Sequence, residues 1–115
     1  MKIYHCKQGE PAELRDVPNE LDALQEAVGG YIQAVSIGYD LVMVCNEEGK
    51  IKKMLPNRWV KGDVICGDFF FCGTDGEDFC DVPEKDIPML KAFYGAPQFN
   101  KKGERIECQP KKKKS

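Results

Sequence analysis

The apolar positions of this chain change their spacing several times, and each change marks an element. Near the start, Ile3 and His5 alternate with Lys2 and Tyr4, the period of a short strand. Gly9-Glu10-Pro11 imposes a turn, and Leu14 to Val17 predicts a second short extended segment. From Leu21 the spacing lengthens. Leu21, Leu24 and Val28 fall at i, i+3 and i+7, with Ala23 and Ala27 beside them, which is one apolar stripe on a helix. Asn19 is placed to cap that helix, Asp22 favours its positive end, and Gly29 supplies a left-handed stop.

Tyr31 to Ile37 and Leu41 to Cys45 are rich in β-branched and aromatic residues, and Gly38-Tyr39-Asp40 between them is a hairpin signal. Asn46 to Lys50 is a further turn, after which Ile51 to Leu55 is expected to continue an antiparallel meander that Pro56-Asn57 ends. Trp59 is then expected on a loop. Val64 to Cys72 is again strongly apolar, with Gly67 marking a bulge, a bend or a tight hairpin. Phe69-Phe70-Phe71 puts aromatics on both faces of that stretch, as burial between two layers requires. Gly73 to Gly76 reads as an exposed turn. Asp81-Val82-Pro83-Glu84 predicts a helix start with proline in the first turn. That helix is expected to run to Phe93 or Tyr94, with Pro88 kinking or shortening it.

These elements predict an α+β fold, a mainly antiparallel sheet of four to six strands with two helices packed against it. Residues 1–94 are expected to form a single domain. Residues 95–115 are expected to be an irregular extension ending in a disordered basic tail, Lys111 to Lys114.

Length and composition agree with one domain: 115 residues, 42% of them hydrophobic. Charge adds an asymmetry. The chain carries 17 basic and 19 acidic groups, but residues 101–115 hold seven basic and two acidic side chains, leaving 10 basic and 17 acidic before them. An acidic body repels a phosphate backbone, so nucleic acid is expected to bind only weakly, through the lysine run. No apolar run reaches the roughly 20 residues that span a bilayer and the N-terminus has no signal-peptide core, so a cytoplasmic location is expected. Cys45, Cys66 and Cys72 sit in or beside apolar stretches, the pattern of reduced core thiols rather than of disulfides.

Four motifs add a resemblance. Leu24-Gln25-x-x-Val28-Gly29-Gly30-Tyr31-Ile32-Gln33, Cys45-Asn46-Glu47-Glu48-Gly49-Lys50, Leu55-Pro56-Asn57-Arg58 and Ile65-Cys66-Gly67-Asp68-Phe69-Phe70 together resemble the family called domain of unknown function 3846. The resemblance covers roughly residues 1–94. It implies a small accessory protein of gut bacteria, their phages or their conjugative elements, with no established activity to carry over.

Catalytic chemistry finds little support in the sequence. His5 is the single histidine, and no local signature pairs it with a cysteine nucleophile. The cysteines lack knuckle spacing for zinc, and Asp75, Glu77, Asp78 and Asp81 lack the calcium-loop order, so no metal or cofactor is expected. Glycine-rich phosphate cradles are absent.

The candidate site is therefore one for binding: the polar turn Asn46-Glu47 and the run Asn57-Arg58-Trp59, since Arg beside Trp is the composition of interface anchors. The competing structural reading has Asn46 and Asn57 making local turns, Arg58 paired with an acidic neighbour, and Trp59 capping the core. The expected function is a non-enzymatic accessory protein that binds a host or phage protein. The alternative is a protein that binds or sequesters a small ligand such as a nucleotide signal, as a dimer, with Asn57, Arg58 and Lys50 or Lys61 as donors. An acidic DNA mimic and an enzyme built on His5 or a cysteine rank below these.

Overall fold

The computed structural model of the protein describes residues 1–106. Cys108 and the Lys111 to Lys114 run lie outside the described residues. Strands β1 (Lys2–Cys6), β2 (Glu13–Asp16), β3 (Ile32–Ser36), β4 (Leu41–Asn46), β7 (Phe69–Thr74) and β8 (Phe79–Cys80) form one antiparallel sheet in the order β2-β1-β7-β4-β3, with β8 beside the end of β7. Strands β5 (Pro56–Val60) and β6 (Asp63–Cys66) form a separate hairpin. Helix α1 (Leu21–Val28) follows β2, and α2 (Ile87–Tyr94) follows a 3-10 turn at Glu84–Asp86. The α+β class, the antiparallel sheet and the two helices are as expected from the sequence.

The sheet is covered on both faces. Ile3, Val44, Phe70 and Cys72 meet Leu24 and Val28 of α1 on one side. Tyr4, Met43, Phe69 and Phe71 meet Leu90 of α2 and Val60 and Ile65 of the hairpin on the other. The central strand β7 is thus apolar at every position from Phe69 to Cys72, and all four side chains are fully buried. Each buried phenylalanine contributes about 1.5–3 kcal/mol of transfer free energy. Phe71 also stacks on Tyr94 of α2, ring centroids 5.0 Å apart, which fixes the C-terminal end of that helix over the sheet.

Several local expectations are corrected. Ile51 to Leu55 is not a strand. Asn46 Oδ1 accepts the Glu48 N–H (2.7 Å), and Lys52 N–H reaches Glu48 O and Met54 N–H reaches Gly49 O, so residues 47–53 wind into a short coil with Ile51 exposed. Pro56 opens β5 rather than ending a strand, a place where its missing N–H is harmless. Trp59 therefore lies on a strand, not a loop. The hairpin turn is Lys61-Gly62, both at positive φ (52° and 80°) as a type I′ turn requires. Gly73 and Thr74 belong to β7 and pair with β8, which the sequence pattern did not show. Asn19 does not cap α1; its Nδ2 donates to Phe79 O (2.9 Å), tying the helix entry to β8. Leu21 is exposed, so the buried stripe of α1 is Leu24 and Val28 alone. Gly29, at φ 78°, ends α1 as expected. The helix expected to start at Asp81 to Glu84 begins only at Ile87, after the 3-10 turn, which puts Pro88 in its first turn, where a proline is tolerated, rather than in mid-helix.

Candidate functional site

The proposed site residues divide into three places. Asn46 is buried at the end of β4, where Nδ2 donates to Val28 O (3.1 Å) while Oδ1 caps the following coil. It satisfies the last turn of α1 and starts the next segment, a structural role on both sides. Glu47 beside it is exposed, on the rim of a small cavity of about 140 Å³ that Lys50, Asp63, Cys45 and Cys66 also line. Lys50 is held there by Asp63.

Asn57 and Arg58 are both fully buried. In a regular strand two consecutive side chains face opposite ways. Here the ladder slips between Pro56 and Arg58, so Asn57 is the extra residue of a β-bulge and both side chains turn inward. Asn57 Nδ2 donates to Cys6 O and Gly67 O, both at 2.8 Å, joining β1 to the β6–β7 turn. Arg58 donates through Nε to Tyr94 O (2.7 Å), through Nη1 to Asn57 Oδ1 (2.6 Å), and through Nη2 to Glu10 O (2.7 Å). Longer contacts at 3.4 Å reach Lys7 O and Gly95 O. Among the described residues its partners are carbonyls, not the carboxylate expected from the sequence. Tyr94 and Gly95 close α2, so the guanidinium answers the negative pole of that helix. Burial lowers the Arg58 pKa from its ordinary value, and the Cys6 and Tyr4 groups act against that shift. Asn57 and Arg58 are thereby removed from any exposed contact, and the reading of this pair as surface anchors or ligand donors is corrected.

Trp59 has the opposite fate. Its side chain is 48% exposed, and its backbone N–H donates to Gln98 Oε1 (2.9 Å). With Phe93 (67% exposed), Pro97, Phe99, Arg105 and Ile106 (44% exposed) it lines a groove of about 400 Å³. The floor is built by the segment after α2, which Phe99 and Arg105 close with an isolated antiparallel bridge. Lys101, paired with Glu10, and Gln8, whose Nε2 donates to Asn100 O, hold that segment to the β1–β2 turn.

The sequence did not single out the surroundings of His5 as a cavity. His5 faces α1 and is buried, with Nε2 3.0 Å from Ala27 O and Nδ1 2.9 Å from Arg15 Nη1. Both contacts fit a neutral ring that donates from Nε2 and accepts at Nδ1. Burial lowers its pKa, Arg15 and Lys7 add to that, and the Ala27 carbonyl and Asp68 oppose it. A cavity of about 430 Å³ opens above it, lined by Lys7 and Arg15 but also by Asp16, Glu26 and Asp68. The five described thiols are free. Burial pushes Cys6 and Cys72 up to about 12 and raises Cys45, Cys66 and Cys80, so none is poised as a thiolate. Among the described residues no three His, Cys, Asp or Glu side chains come together as metal ligands, and no helix is long and apolar enough to cross a membrane.

The profile of the family described as Domain of unknown function (DUF3846) matches residues 1–95, most of the chain, and the protein belongs to that family. No curated protein and no solved structure matches it.

Proposed function

We propose that this domain is a non-catalytic accessory protein, of a mobile element or gut bacterium and acting in the cytoplasm, that holds a protein partner in the groove beside Trp59. The observation that carries the reading is the groove itself: three large apolar side chains, Trp59, Phe93 and Ile106, 44–67% open to water around about 400 Å³ of concavity. Exposed aromatics gathered around one pocket have the composition of binding hot spots. Arg105 stands on the rim, and the residues after Ile106 include Lys111 to Lys114. The complementary partner is a segment with an apolar anchor flanked by acidic residues. The mobile-element setting rests on the family resemblance alone.

Selection from a peptide display library tests this directly, because Trp59 is the chain's sole tryptophan and its fluorescence reports the groove. The expected result is enrichment of acidic peptides with an aromatic or aliphatic anchor, a shift of Trp59 emission on binding, and weakening by salt. Failure to enrich any such motif, or enrichment that survives Trp59→Ala and Phe93→Ala, sinks the reading.

A small-ligand role has less support. The donors proposed for it, Asn57 and Arg58, are committed to the interior, and Lys50 is engaged by Asp63. The cavity over His5 has two cations but three carboxylates, a poor match for a phosphate.

A further inference from the structure

Among the described residues the sheet has two free edges, and they differ in kind. At one end, β2 is four residues long, all exposed, and three of them (Glu13, Arg15, Asp16) are charged. Short, charged edges resist pairing with a further strand. At the other end, β3 (Ile-Gln-Ala-Val-Ser) pairs with β4 along its whole length and carries no charge. Indeed no charged residue occurs between Glu26 and Asp40, and no proline. Nothing in β3 itself blunts the edge.

Its backbone is also set for pairing. Glu47 N–H donates to Tyr31 O (2.8 Å) and Ile37 N–H to Leu41 O (2.9 Å) in the β3–β4 register. Bonding alternates along an antiparallel pair, so Gln33 and Val35 spend their backbone groups on β4, while Ile32, Ala34 and Ser36 direct theirs outward.

We infer that the β3 edge is a self-association surface, on which a second copy of this chain adds its own β3 antiparallel about a two-fold axis at Ala34. The sequence is self-complementary in that register. Ala34 meets the partner's Ala34, Ile32 meets the partner's Ser36, and Gln33 meets the partner's Val35, with no like charges opposed. The three outward residues of each copy supply about six backbone hydrogen bonds and join the two sheets into one. Just beyond the strand, Tyr31, 65% exposed, comes opposite the partner's Ile37. The uncharged edge argues for this occupant over a charged peptide: β3 offers a charged strand nothing to pair with, whereas a second β3 brings an equally uncharged edge, and the two acidic bodies repel only at long range. Salt should therefore strengthen the association, contrary to its effect on the Trp59 groove.

Sedimentation velocity across concentration, with amide exchange read residue by residue, tests the inference. The expected result is a monomer–dimer equilibrium in which the amides of Ile32, Ala34 and Ser36 slow as concentration rises. Ala34→Lys opposes two cations at the axis, and Ala34→Pro deletes an outward N–H without touching the β3–β4 ladder. Each should weaken the dimer by at least about tenfold with the circular dichroism unchanged. A monomer at every concentration up to about 1 mM overturns the inference. So does a dimer in which those three amides exchange as fast as in dilute protein, or one indifferent to both variants. Protection of the same amides only when a foreign peptide is added also overturns it, by assigning the edge to another partner.

Discussion

Arg58 and Trp59 are adjacent in sequence and face different worlds. Arg58 is fully buried and spends its guanidinium on carbonyls of the β1–β2 turn and of the end of α2. Trp59 stands half in water, and its backbone N–H is held by Gln98. Residue type alone suggests the reverse, since arginine is seldom fully buried and tryptophan is usually well covered. What separates them is the bulge at Asn57. It turns Asn57 and Arg58 inward together and leaves Trp59 to the outer face. One neighbour holds the fold, and the other faces the solvent.

The sharpest way to break that contrast is Arg58→Ala. It strands several part-buried carbonyls and cuts the hairpin loose from α2, so a loss on the order of 3–5 kcal/mol is expected, read as a lower urea midpoint. Arg58→Lys should recover little of it, because an ammonium cannot reproduce the planar fork. An unchanged midpoint in both variants would mean that the guanidinium is dispensable.

Asn57→Ala comes next, at about 1–3 kcal/mol, because it unpairs Cys6 O and Gly67 O. Since Asn57 Oδ1 also accepts from Arg58, the double variant should cost less than the sum of the singles. Strict additivity would show that the two residues are not one network.

His5 sharpens the comparison on the other face of the sheet, as a buried group that can lose its charge where Arg58 cannot. Its folded pKa lies below the ordinary value near 6.5, so the unfolded chain binds the proton more readily. Its contribution is complete above about pH 6.5 and fades as the pH falls through the folded value. Arg15, Lys7, Asp68, Asp16 and Glu26 face it around the cavity, with Ala27 O on Nε2. Denaturation curves between pH 7 and pH 5 should show stability falling, with His5→Gln flattening that slope. A variant as pH-sensitive as the parent would acquit the histidine.

Trp59→Ala should change stability least, by under about 1 kcal/mol, while abolishing selection of groove peptides. A large loss of stability would place Trp59 with the interior residues and remove the basis for the groove.

Much of the fold was legible because it depends on period. Leu24 and Val28 with Gly29 marked α1, the alternation in β3 and β4 around Gly38 marked their hairpin, and the run Phe69 to Cys72 marked a strand buried on both faces. The candidate site was legible only in part. Trp59 and Glu47 are exposed as a binding residue must be, but Asn46, Asn57 and Arg58 are turned to the interior. A bulge leaves no periodic trace, and Pro56 suggested the end of a strand where one begins. Phe93 and Ile106 were not singled out, because their neighbourhood arises from segments distant in sequence.

Local spacing was enough for the α+β class, the antiparallel pairing of neighbouring strands and the burial of the phenylalanine run. Each segment carries that spacing with it. Where the polar residues point, which strands end up at the edges of the sheet among the described residues and which aromatics share a groove came from the assembled fold. A side chain's partners come from strands and helices many residues away, and a single inserted residue in a ladder can turn it from water to the core.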